Sequence, residues 1–282
     1  MKKKLNELLI ELCENPIEID LSQENIMQSA RDATVGEDSN RRAKVVLREF
    51  NDLGFDNRTQ KIPLTSYSEF NVIGILKGKT KEELVVCAHH DRIPGTPGAD
   101  DNASGMVSLI GLAHELADRY ENPEKTVRLI SFGAEENVQY IKKRRGMVGS
   151  KRYVRYYDTE NVWGVVNLDL IGRERPLNVV ERDSIGTAIY DIDLAGIVRG
   201  VGYGLGIKVE SCYTSTSTSD NRPFAEKGIK SVWLTRLNPR RNRWKIYHSK
   251  EDKPETIKLK YIEENKNLLL NIVDYFMEKE DD

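Results

Sequence analysis

Leu84-Val85-Val86-Cys87-Ala88-His89-His90-Asp91 is an apolar run that ends abruptly in two imidazoles and a carboxylate. A short apolar stretch bounded by charge reads as a strand buried on both faces, as at the centre of a parallel sheet. The residues able to do chemistry then fall where that strand leaves the sheet. The pattern recurs: Val127 to Phe132 leads into Ala134-Glu135-Glu136, and Val162 to Leu170 carries Asn167-Leu168-Asp169 towards its end. Further strands are read at Lys61 to Leu64, Asn71 to Leu76 and Ile229 to Thr235.

Helical periodicity fills the intervals. Asn6 to Glu14 mixes acids and leucines at helical spacing, and Asp38 to Leu53 places Ala43, Val46, Leu47 and Phe50 three and four residues apart with Gly54 as a stop. Other helices are expected at Ser104 to Tyr120, Met147 to Tyr157, Ile192 to Tyr203 and Tyr261 to Glu278. Strands alternating with helices specify an α/β fold with helices on both faces of a mainly parallel sheet, a three-layer α/β/α arrangement. No Pro/Gly/Ser-rich linker or internal repeat interrupts residues 1–282, so one domain is expected, with the helical segment 1–37 packed on it. The Ser/Thr run Thr214 to Ser219 is read as a loop and Lys142-Lys143-Arg144-Arg145 as a solvated basic turn.

Composition narrows the class of protein. Apolar residues at 39% and charged residues at 31% fit a water-soluble globular chain, and no apolar stretch reaches the roughly 20 residues needed to span a bilayer. The formal charge of −2 offers no general attraction to nucleic acid. Cys13, Cys87 and Cys212 are odd in number and widely separated, which suggests neither a disulfide framework nor a thiolate metal site and favours a reducing, cytoplasmic setting.

The chemistry concentrates in five places: His89-His90-Asp91, Pro97-Gly98-Ala99-Asp100-Asp101-Asn102-Ala103-Ser104-Gly105, Glu135-Glu136, Asp169 and Tyr247-His248-Ser249. Imidazole and carboxylate donors without thiolate suit zinc, with cobalt or manganese as alternatives. Two ions about 3.5–4 Å apart need a shared carboxylate and can activate one water between them. The assignment is Asp100 as the bridge, His89 and Asp169 on one ion, Glu136 and His248 on the other. Glu135 is the general base and Asp91 orients the His89 ring. His114-Glu115-Leu116-Ala117-Asp118 opens like a helical zincin motif but has Asp118 where a second histidine is required, so His114 is read as an ordinary helix residue. His90, on the opposite face from His89, is read as packing or hydrogen bonding rather than ligation.

These motifs, in this order from about Asp38 to the last helix, resemble the co-catalytic zinc aminopeptidases related to bacterial leucyl aminopeptidase, a group that includes glutaminyl cyclase and transferrin-receptor-like relatives. The resemblance implies a single α/β domain, two zinc ions, release of N-terminal amino acids from peptides with a free N-terminus, and a cis peptide between Asp100 and Asp101. The chain departs from the family in three ways. Asn137 to Val148 is longer and more basic than the family's link, Asn221 stands where histidine is frequent, and neither a protease-associated insert nor the disulfide of secreted relatives is found. A one-metal acyltransferase of the glutaminyl cyclase type, a carboxypeptidase or dipeptidase, and a non-catalytic binding module are the rival readings on the same fold.

Overall fold

Residues 83–89 lie at the middle of an eight-stranded mixed sheet, and the alternation of their side chains sets the layers. The protein, a computed structural model, is described over residues 1–14, 28–64, 67–136, 146–183, 191–214, 217–237 and 246–279. Its strands are β1 (Asp56–Pro63), β2 (Ser68–Leu76), β3 (Glu83–His89), β4 (Thr126–Phe132), β5 (Val162–Leu168), β6 (Leu177–Asp183), β7 (Val209–Thr214) and β8 (Ser231–Thr235). The helices are α1 (Lys2–Cys13), α2 (Gln28–Asp52), α3 (Ser104–Arg119), α4 (Val148–Tyr156), α5 (Ile192–Gly204), α6 (Arg222–Ala225) and α7 (Leu259–Glu278).

The strand order is β1-β2-β4-β3-β5-β8-β6-β7. β4, β3, β5 and β8 run parallel, whereas β2 joins β4, and β6 joins β8, in antiparallel fashion. Leu84, Val86 and Ala88 point into a large apolar cluster shared with α1, α2, α3 and α7. Val85 and Cys87 point the other way, against Tyr153 and Val154 of α4 and Phe224 of α6. A strand covered on both faces must be apolar at every position, which is why this one reads as a continuous run rather than an alternation. The expected α/β arrangement with helices on both sides is therefore the observed one.

The structure departs most from expectation at the sheet edges and at α2. β1 starts at Asp56 rather than Lys61 because it is an edge strand paired only with β2, so its polar residues face water and leave no apolar pattern to detect. β6 and β7 were not anticipated, for β7 is the opposite edge and its Tyr213 is 57% exposed. α2 begins at Gln28, ahead of its apolar stripe.

The parallel register places the site. His89 pairs with Phe132 and Cys87 with Asn167, so β3, β4 and β5 finish along one edge of the sheet. The chain leaves that edge as His89-His90-Asp91, Gly133 to Glu136, and Asp169. In open α/β sheets ligand crevices form beyond the carboxyl ends of parallel strands, next to where the strand order reverses.

Candidate metal centre

Each strand end turns sharply into its polar residues. Ala134, Leu170 and His248 all have left-handed backbone, with φ of 55°, 60° and 55°. Such a conformation costs a non-glycine residue about 1–3 kcal/mol and persists where the surroundings impose it. Here it lies immediately before Glu135, immediately after Asp169 and at His248 itself.

The side chains converge on Asp101. His89 Nε2 lies 3.3 Å from Asp101 Oδ1 and 3.5 Å from Asp169 Oδ1. His248 Nε2 lies 3.1 Å from Asp101 Oδ2 and 3.0 Å from Glu136 Oε1. One carboxylate thus offers an oxygen to each of two histidine–carboxylate pairs. Donor atoms of His89, Asp101 and Glu136 all fall within 4.8 Å of one another. Ligands of a tetrahedral zinc ion, bonded at about 2.0–2.2 Å, are spaced at roughly 3.4 Å, so these separations suit the ion. The buried atoms His89 Nε2, Asp101 Oδ2 and Asp169 Oδ1 make no hydrogen bond among the described residues. Buried polar atoms without partners are rare in folded proteins, and these, two in the His89–Asp169 pair and one facing His248, match the requirement of cations for free lone pairs.

Asp100, the expected bridge, does not join this group; the carboxylate that stands between the two histidines is its neighbour Asp101. Asp100 Oδ1 accepts a hydrogen bond from Gly172 N at 2.8 Å, and Oδ2 is 3.2 Å from Arg173 Nε. The cause is the tight turn Ala99–Ala103, from which successive side chains leave in opposite directions. The cis peptide is likewise Asp101-Asn102, not Asp100-Asp101.

Two further aspartates hold the turns that carry the cluster. Asp91 Oδ1 accepts from Glu135 N at 3.0 Å and Asp91 Oδ2 from Glu136 N at 2.8 Å, while its main-chain carbonyl lies 3.2 Å from His89 Nδ1. Asp91 therefore positions both the ring and the Glu135-Glu136 turn. Asp252, four residues after His248, accepts from Asp100 N at 2.9 Å and Asp101 N at 3.0 Å, clipping the His248 loop to the Asp101 turn. Ser219 Oγ donates to Asp169 Oδ2 at 2.8 Å and accepts from Asn167 Nδ2 at 2.8 Å. Asp252 and Ser219 carry little sequence signal of these contacts: Ser219 lies in a Ser/Thr run with the composition of a loop, and the one hint of Asp252 is its closeness to His248.

Carboxylates outnumber cations here, and the titrations reflect it. Burial raises Glu135 well above the usual carboxylate range, against the pull of His89 and with help from Glu136, Asp220 and Asp169. Burial and Asp101 push Glu136 up to about 8. Burial works against a charged His248, yet Asp101 and Glu136 overcome it and raise the imidazole to about 10. For His89 the same contest, with Asp101, Asp169 and Asp91 opposing burial, ends well above the ordinary value. So much negative charge held out of water is stable only with cations beside it. The Tyr247 phenol, stacked on His248, is driven well above its normal range by burial and then by Asp101, Glu136, Glu135 and Asp169. It stays protonated.

The remaining predicted residues have separate uses. His90 Nδ1 lies 2.6 Å from Ser131 Oγ, and burial lowers its pKa to about 3, so the ring is neutral. His114 Nε2 meets Glu49 Oε2 at 3.2 Å where α3 packs on α2. Residues 142–145 of the basic turn lie outside the described residues. The link containing them returns at Met147 N and Val148 N, bonded to Glu135 O and Ala134 O at 2.9 and 3.0 Å. Asn221 is fully buried, and neither polar atom of its side chain has a hydrogen-bond partner among the described residues.

Comparison with known proteins gives a family and a fold. The sequence profile of Peptidase family M28 matches residues 71–273. Aminopeptidase YwaD of Bacillus subtilis (strain 168) is 28% identical over 229 residues, covering 77% of this chain and 46% of that protein. The structure of BSAP, a zinc aminopeptidase from Bacillus subtilis, superposes with TM-score 0.63 at 28% identity, covering 77% of this chain and 52% of that one. LapA aminopeptidase of Legionella pneumophila shares the fold at TM-score 0.80 and 17% identity, over 100% of this chain and 73% of the other. Porphyromonas gingivalis glutaminyl cyclase shares it at TM-score 0.77 and 13% identity, over 98% of both chains. The chain spans about half the length of YwaD and BSAP.

Proposed function

Because the chain belongs to Peptidase family M28, we propose that it is a zinc-dependent aminopeptidase that hydrolyses the first peptide bond of peptides with a free N-terminus. The observation that carries this reading is the division of Asp101 between His89 and His248, each backed by a second carboxylate. His89, Asp101 and Asp169 would hold one ion, and His248, Asp101 and Glu136 the other. Bound there, the ions would supply Lewis acidity to the scissile carbonyl and lower the pKa of water.

The chain's own groups do the rest. Glu135 takes the proton of the attacking water and delivers it to the departing amine, a role suited to a carboxyl held above its usual range by burial. Asp91 keeps that glutamate and Glu136 on one turn through their main-chain N–H groups. The surplus of buried carboxylate attracts the ammonium group of a free N-terminus. Cys13, Cys87 and Cys212, buried and widely spaced along the chain, fit action in a reducing compartment.

The test combines metal analysis with turnover of a panel of aminoacyl chromogenic substrates, before and after chelation. Two ions per chain and reversible loss of activity are expected; one ion per chain would favour acyl transfer of the cyclase type. Glu135→Gln should keep both ions and lower kcat by about 10²–10⁴-fold. Near-normal turnover in that variant would reject the role of Glu135.

A further inference from the structure

The segment leading into the Asp101 turn is gripped by two buried arginines, one of which also holds α1. Arg92 follows Asp91 directly. Its guanidinium donates to Pro97 O at 2.7 Å, to Asp38 Oδ2 and Oδ1 at 2.7 and 2.9 Å, and to Cys13 O and Glu14 O, both at 3.2 Å. Arg42 donates to Asp91 O at 3.3 Å and Gly98 O at 3.4 Å. The carbonyls at both ends of the 91–98 segment, on which His89, Asp91 and Asp101 depend, are thus tied to α2. Through Arg92 they are also tied to the last carbonyls of α1. Those carbonyls have no partner within the helix and attract cationic donors.

α1 is well placed to transmit a change. It has 12 residues, a length marginal for an isolated helix in water, so its order depends on docking. Docking buries Leu5, Leu8, Leu9 and Leu12 in the main core. The helix precedes residues 71–273 and so lies outside the part matched by the family profile.

We propose that Arg92 is a positioning residue that couples the docking of α1 to the geometry of the metal-binding turn. The proposal rests on reading the His89–Asp101–His248 cluster as a metal centre. Coupling of this kind is reciprocal: if a docked α1 holds the turn in its cation-binding form, a bound cation must in turn hold α1 in place.

Reciprocity supplies a test that requires no variant. Amide hydrogen exchange of Leu8 to Cys13 is followed in the full chain, stripped by chelator and then saturated with zinc, with zinc binding quantified in parallel. Amides of α5, which makes no hydrogen bond to the site among the described residues, report effects on the whole molecule. Zinc should slow exchange in α1 by at least about fivefold, beyond any change in α5. In Arg92→Gln that ratio should fall to near one and zinc affinity should drop about tenfold, the low end for partners outside the ligand set. Arg48→Gln breaks the Arg48–Glu11 pair that tethers α1 elsewhere, so it should speed exchange in both states and preserve the ratio. A purely structural Arg92 would lower stability and leave the ratio intact, and that result would overturn the proposal. Zinc binding without protection of α1 in the unaltered protein would do the same. Failure of the unaltered protein to bind zinc would instead remove the metal-centre reading on which the proposal stands.

Discussion

The two halves of the candidate centre are built differently. His89 and Asp169 emerge from neighbouring strands, and their side chains are 1% and 8% exposed. Glu136 and His248 stand on turns beyond the sheet, with side chains 10% and 34% exposed. The first pair takes its position from a rigid β-sheet register. The second depends on clips, the Asp91 carboxylate under Glu136 and the Asp252 carboxylate joining the His248 loop to Asp101. An ion at the strand-end half would sit in a desolvated site on a rigid frame, whereas one at the loop half would be reachable by water and easier to exchange.

Asp101 belongs to both halves, so replacing it should have the largest effect. Asp101→Ala should lose both ions and cut kcat/KM by more than about 100-fold, beyond the range of partners outside the ligand set, while Asp100→Ala should stay within about tenfold. Metal content and kcat/KM of the pair decide between them, and the reverse order would restore Asp100 as the bridge. The asymmetry itself is read by zinc stoichiometry: His89→Ala should strip both positions, but His248→Ala should retain about one ion per chain. Equal loss in the two variants would erase the distinction between the halves.

A smaller effect concerns pH. In metal-free protein the His248 imidazole, raised from 6.5 to about 10, stabilises the fold below its unfolded pKa, and that stability is lost as pH rises through about 10. Glu136, raised from 4.5 to about 8, acts in the same direction, since ionising it becomes costly as pH rises through about 8. Tm of the metal-free protein should therefore fall from pH 7 to 9. With zinc the slope should flatten or reverse, because zinc requires deprotonated ligands. A metal-free Tm that rises over this interval would contradict the electrostatics described here.

The contrast between halves also explains what could be read in advance. His89 and Asp169 follow apolar runs whose pattern gives their place directly, and Glu136 follows a third. β3, β4, β5 and β8 are legible because buried strands must be apolar, whereas β7 and the start of β1 are not, because edge strands need no such pattern. Neither Asp252 nor Ser219 differs in composition from many surface residues. Their importance comes from what they touch after folding.

Local chemistry along the chain was enough to determine the layered α/β architecture, the kind of donor atoms and the strand ends that present them, since apolar periodicity and residue type are properties of short segments. The choice of Asp101 over Asp100, the pairing of each histidine with a carboxylate, and the reach of Arg92 from α1 to the turn were decided only by tertiary structure. Which of two adjacent aspartates faces the centre depends on hydrogen bonds made with Asp252 and Gly172, far away in sequence.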